Sequence, residues 1–162
     1  MEGKCMSERI LIPLDGSELG ETALRYVEGL VARLAPGEKV EVTLFHASQS
    51  THSINVVGGN SVSVPYTDEE LETLREKGES YLERAGQELK RKGAVVHCIV
   101  AFGDHPSEEI IRVEEEVEAD LVAMSTHGRA GLSRWAFGSV TDKVLRAGKV
   151  PVLMVRAQKG KK

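Results

Sequence analysis

Aromatic side chains are scarce, at 4% of 162 residues, and basic residues do not dominate: 21 Lys and Arg stand against 25 Asp and Glu, a formal net charge of −4. A surface that follows a phosphate backbone needs the charge and one that stacks on bases needs the aromatics, so nucleic acid is not expected as a partner. Cysteine is limited to Cys5 and Cys98. Two cysteines are too few for a disulfide framework and these are not spaced for zinc, so both read as reduced thiols. Long apolar runs are missing too; residues 150–155 fall far short of the ~20 needed to cross a bilayer, so no membrane span is expected. The opening stretch carries no secretory hydrophobic region, and a cytoplasmic protein is expected. Two common nucleotide signatures are also absent, the Gly-Lys-[Ser/Thr] of a P-loop and a Gly-x-Gly-x-x-Gly after the first apolar segment. What is present is ordinary for a packed protein, 41% hydrophobic and 28% charged residues over the length of one domain. One domain over 1–162 is expected, with a leader at 1–7, a loop at 48–66 and a basic tail at 157–162.

Strand-like and helix-like segments alternate along the chain. Residues 9–14 are short and apolar and end at Asp15-Gly16-Ser17; Leu19, Ala23, Leu24, Val27, Leu30, Val31 and Leu34 then recur at helical spacing. Pro36-Gly37 stops that helix, and the β-branched residues of 40–47 predict a second strand. Residues 48–65 show no periodicity and read as a long loop. Thr67 with Glu70 forms a capping box for a long helix whose apolar face runs from Leu71 to Leu89 and ends before Gly93. Residues 94–101 read as a strand, Pro106 opens a helix, residues 120–124 read as a strand, and a helix over 140–147 with Gly148 at its C-cap leads to a last strand at 150–155. The acidic run Glu114-Glu115-Glu116 reads as a solvated helix face.

Five strands alternating with helices imply an α/β fold: one five-stranded, open, parallel sheet with helices on both faces, Rossmann-like. Ligands in such sheets sit beyond the carboxyl ends of the strands where strand order reverses, which directs attention to the turns after Leu14 and Met124. After Met124 comes Ser125-Thr126-His127-Gly128-Arg129-Ala130-Gly131, then Gly138-Ser139-Val140-Thr141 at the start of the last helix. Glycines admit an anion close to backbone amides, and a helix N-terminus offers unpaired N–H groups with partial positive charge, so the combination suits a polyphosphate. The alternative is that Gly128 and Gly131 serve turns, that Ser139 is only an N-cap with Asp142 completing a box, and that Asp15 merely caps the first helix with Ser17. The histidines lack the spacing of a metal site; His46 and His97, in strands, read as structural.

These motifs resemble the universal stress protein family, whose pattern after the fourth strand is Gly-x-x-Gly, nine residues, then Gly-[Ser/Thr]. Here Ser125-Thr126-His127-Gly128, the nine residues 129–137 and Gly138-Ser139 match in register, with Ser125 in place of the first glycine. The segments Ile12-Pro13-Leu14-Asp15-Gly16-Ser17, Leu44-Phe45-His46-Ala47, Gly103-Asp104-His105-Pro106, Asp120-Leu121-Val122 and Pro151-Val152-Leu153-Met154-Val155 resemble family blocks in the same order. The fold implied is that of the adenine nucleotide alpha hydrolase group. In ATP-binding members, Pro13, Asp15 and Ala47 correspond to positions against adenine and ribose. Gly128, Gly138, Ser139 and Val140 correspond to phosphate-holding positions, with Met124 at the mouth and Ser125 at the altered one; Gly103, His127 and Arg129 are further candidates. At position 125 a side chain obstructs the ligand if the backbone needs positive φ, or adds a hydrogen bond if it does not.

The resemblance implies an ATP- or other adenine-nucleotide-binding (AMP, ADP) regulatory or stress-response protein, a homodimer joined through Val150, Val152, Leu153, Met154 and Val155 of the last strand and read by a further regulatory protein. Mg²⁺ is expected through the phosphates, with Asp15 as a candidate ligand and no direct protein cluster. No catalytic residue is expected, because the sequence offers no P-loop lysine and no evident base beside Gly138-Ser139. The alternatives are a slow ATP hydrolase and a nucleotide-free dimeric adaptor.

Overall fold

The computed structural model describes residues 7–35, 37–56, 60–126 and 138–156. Along the chain these form β1 (Ser7–Pro13), α1 (Glu21–Leu34), β2 (Lys39–Ser48), β3 (Thr51–Val56), β4 (Asn60–Pro65), α2 (Asp68–Ala85), α3 (Gln87–Arg91), β5 (Val95–Phe102), α4 (Pro106–Glu116), β6 (Leu121–Thr126), α5 (Ser139–Ala147) and β7 (Val152–Arg156). Five strands make one parallel sheet in the order β5-β2-β1-β6-β7. The chain builds outward from β1 to β5, then returns to the other side of β1, so the order reverses between β1 and β6.

Alternation along the strands divides the core in two. Ile10, Ile12, Val40, Val42, Leu44 and Ala123 face α1, α2 and α3, where Val27, Val31, Leu82 and Leu89 are fully buried. Leu11, Phe45, Val122 and Met124 face α4 and α5, against Ile110, Val113 and Val144. This is why Ile10–Pro13 of β1 and Leu121–Met124 of β6 are apolar at successive positions: both faces of the sheet are covered.

Three sequence expectations are corrected. Residues 48–65 are not an aperiodic loop; they carry the antiparallel hairpin β3–β4, with Ile54 opposite Val62 and His52 opposite Val64 on one face and Ser53 opposite Ser63 on the other. The alternation is of period two but is built from Ser, Asn and Val, and its signal was the Gly58-Gly59 pair between two such runs. The long helix is two helices that meet at Gly86, where a Cβ would lie 2.9 Å from Val96 Cγ1 and 3.1 Å from Leu44 Cδ1, so the chain passes the sheet too closely for a side chain. Its capping box is present as expected.

The third concerns the acidic run. Glu115 and Glu116 are exposed and pair with Lys149 and Arg112, but Glu114 is only 1% exposed. Its Oε1 accepts from the amides of Lys149 (2.6 Å) and Val150 (3.2 Å), tying α4 to the turn that starts β7. Burial of this one member follows from its place on the same helical face as Ile110 and Val113. Glu114→Ala leaves two partly buried donors without their partner and is expected to cost about 2 kcal/mol in urea denaturation, with Glu114→Gln recovering part of it. A loss under about 1 kcal/mol would show that the turn is held by other contacts.

Candidate functional site

A cavity of about 330 Å³ opens at the carboxyl ends of β1 and β6, where the strand order reverses. Pro13, Leu14, Asp15, Leu19 and Gly20 form one wall, and Met124, Ser125 and Thr126 with Gly138, Ser139, Val140 and Thr141 form the other. Phe45 and Ala47 from β2 and Pro106 and Ile110 from α4 complete it. Among the described lining residues none is cationic, and Asp15 is the one charged group.

The first wall is a turn locked by short side chains. Asp15 Oδ1 accepts from the amide (3.0 Å) and the hydroxyl (2.6 Å) of Ser17, and Ser17 Oγ accepts from the amide of Gly20 (3.0 Å). Partial burial pushes the Asp15 carboxyl up, but the Ser17 bonds, aided by backbone and His46, outweigh it and hold the group below the usual carboxylate range. Gly16 has φ of 82°, and a Cβ at Gly20 would lie 2.5 Å from Asp15 Oδ1, so both glycines are required. Behind the turn, His46 Nδ1 donates to the Leu14 carbonyl (2.8 Å) and its ring meets Tyr81 edge-on at 6.1 Å. The Tyr81 hydroxyl donates to Glu21 (3.2 Å), and burial, with the Glu21 carboxylate next, pushes its pKa up to about 12. His46 thus braces the bend from behind.

The second wall ends in a helix start of the opposite character. Gly138 is the N-cap of α5, with no side-chain cap, and the first internal bond runs from Asp142 N to Gly138 O (2.9 Å). The amides of Ser139, Val140 and Thr141 therefore precede the first helical bond at the cavity edge. Ser139 is not the N-cap, and Asp142 is turned to Arg146 (2.9 Å), so the capping alternative does not hold here. At α1, by contrast, the first amides are all taken: Gly20 by Ser17 Oγ, Glu21 by the Ser17 carbonyl, Thr22 by the Leu19 carbonyl and Ala23 by Ser125 Oγ (2.8 Å). Among the described residues nothing bonds to the amides of Ser139, Val140 and Thr141, so an anion entering the cavity is offered donors at α5.

Of the sequence candidates, Pro13, Asp15, Ala47, Met124, Ser125, Gly138, Ser139 and Val140 come together around this cavity. Met124, 7% exposed, belongs to its floor rather than its mouth. Gly103 stands apart, its amide on the Ser48 carbonyl (2.9 Å). Gly128, His127 and Arg129 lie outside the described residues. Ser125 does not have the positive φ that would make its side chain an obstruction, since among the described non-glycine residues only Glu118 does. Sequence reasoning missed Leu14, Leu19, Gly20, Phe45, Pro106, Ile110, Thr126 and Thr141; the helical and strand periodicities place them along the chain but not at one cavity. A more open depression of about 700 Å³ beside β5 is lined by Glu79, Glu83 and Lys90 and by charged groups that are paired, Arg9 with Glu118 and Asp120, and Glu41 with Lys39 and His97.

An open 3-2-1-4-5 parallel sheet with a crevice at its switch point is a Rossmann-like architecture. The sequence model of the universal stress protein family matches residues 6–156, and the chain belongs to that family. Universal stress protein MJ0577 of Methanocaldococcus jannaschii is 30% identical over 160 residues, covering 93% of this chain and 96% of that protein. The MJ0577 structure superposes with a TM-score of 0.68 at 26% identity, covering 94% and 98% of the two chains. An Arabidopsis thaliana family protein with AMP bound gives 0.62 at 16% identity, covering 93% and 92%. A universal stress protein in complex with cAMP gives 0.58 at 22%, covering 93% and 98%. These last two likenesses are of fold.

Proposed function

We propose that this universal stress protein binds an adenine nucleotide in the β1–β6 crevice and acts as a dimeric regulatory or stress-response protein. The observation that carries the reading is the start of α5, to whose first amides no described residue bonds, at a cavity whose other lining is largely apolar. Phosphates take the amides of Ser139, Val140 and Thr141 and the Ser139 hydroxyl, and the family resemblance adds Gly128 to the phosphate-holding positions. Adenine and ribose lie against Pro13, Asp15 and Ala47. The AMP and cAMP held by the two neighbours of like fold agree with this choice of base. Because no cation lines the described part of the crevice, the triphosphate is expected as its Mg²⁺ complex, with Arg129 a further source of positive charge.

Binding rather than turnover is the expected activity. The one carboxylate at the crevice, Asp15, has an oxygen committed to Ser17 and a proton affinity below the usual range, which makes it a poor general base. Titration calorimetry with MgATP, ADP and AMP, together with identification of nucleotide released from denatured purified protein, tests the reading. Saturable binding of at least one of them is expected, with hydrolysis slower than ~1 per second. No saturable binding would reject the site and favour the nucleotide-free adaptor; faster hydrolysis would make the protein an enzyme.

A further inference from the structure

We infer that Ser125 is a positioning residue whose hydroxyl is a strut across the crevice, fixing the nucleoside wall to the end of β6. The inference rests on the nucleotide reading above and assigns a role to the one position where the chain departs from the family motif. Ser125 Oγ donates to the Gly20 carbonyl (2.9 Å) and accepts from the Ala23 amide (2.8 Å), both in a partly buried setting. A hydroxyl has one proton to give, and this one is given to α1, so it is not directed at a ligand.

From Gly20 the chain of bonds continues through Ser17 Oγ to Asp15 Oδ1. A continuous path thus runs from β6 through Ser125, Gly20 and Ser17 to Asp15, and Asp15, Gly20 and Ser125 all line the cavity. The glycine of the family pattern cannot make this strut. It would leave the Gly20 carbonyl and Ala23 amide to water and free the turn that carries Asp15. The strut also takes up the Ala23 amide, so α1 does not compete with α5 for phosphate. Its effect therefore falls on the nucleoside part of the ligand, which adenosine and ATP share.

Ser125→Gly, Ser125→Ala and Ser125→Thr titrated with adenosine and with MgATP, each with a thermal melt, test the assignment. The Gly and Ala variants are expected to lose about tenfold in affinity, by the same factor for both ligands, and Thr, which keeps the hydroxyl, to bind close to wild type. Loss confined to MgATP would overturn the assignment by making the hydroxyl a phosphate ligand. Unchanged affinities with a lowered melting temperature, or a Thr variant no better than Ala, would reduce Ser125 to a stabilising contact. Wild-type protein that binds neither ligand would reject the nucleotide reading itself, and the strut's role with it.

Discussion

Gly138→Val is expected to bind MgATP at least ~100-fold more weakly than the wild-type chain while keeping its fold, since several charge-assisted bonds to phosphate are lost together. A Cβ at Gly138 meets no atom of the described residues within 4 Å, so none of them resists the substitution. Valine at this N-cap puts a branched side chain next to the amides of Ser139, Val140 and Thr141, where the phosphates are proposed to lie. Because the effect is on the phosphate end, adenosine affinity should fall much less than MgATP affinity. Calorimetry on the folded variant decides this, with circular dichroism to establish the fold. An unchanged MgATP affinity would remove the α5 terminus from the site.

The second large effect concerns assembly. Among the described residues the two edges of the sheet differ. At β5, Arg75 of α2 donates to the Val100 carbonyl (3.3 Å) and lies over the Phe102 ring at 5.2 Å, which blunts that edge. At β7 no side chain of the described residues bonds to the outer backbone groups. Val122 N donates to the Pro151 carbonyl, so by the alternation of a parallel ladder Leu153 faces β6 while Val152 and Met154 turn their backbone groups outward. Val152, Leu153, Met154 and Val155 are only half-buried, an apolar edge that pairing with a twofold mate would cover. Wild type is expected to be a dimer by light scattering at micromolar concentration. Met154→Pro, which deletes an outward N–H, and Val155→Lys, which charges the edge, are both expected to be monomers. A wild-type monomer at high micromolar concentration, or dimers in both folded variants, would refute the β7 interface.

The local periodicities in this chain were legible because they are local. Ile10 through Leu14, Val40 through Phe45 and the apolar face of residues 71–89 announce strand, strand and helix from their own spacing, and the alternation of types implies a parallel sheet before any contact is known. The motif glycines and Asp15 could likewise be singled out, because the residues that suit an anion are recognisable one segment at a time. What needed the tertiary structure is whatever depends on partners distant in sequence. Glu114 reads as solvated beside Glu115 and Glu116, and is buried because its face of α4 meets the turn at Lys149 and Val150. Ser125 reads as a defect in a glycine motif, and becomes a strut only because β6 and the start of α1 are brought side by side. Gly86 reads as one more residue of a helix, and is required as glycine because Leu44 and Val96 stand under it. Sequence spacing determined which elements form and which carry the chemistry; the packing of β6 against β1 decided which amides are left free for a ligand, because a hydrogen-bond donor is available only when nothing folded beside it has already taken it.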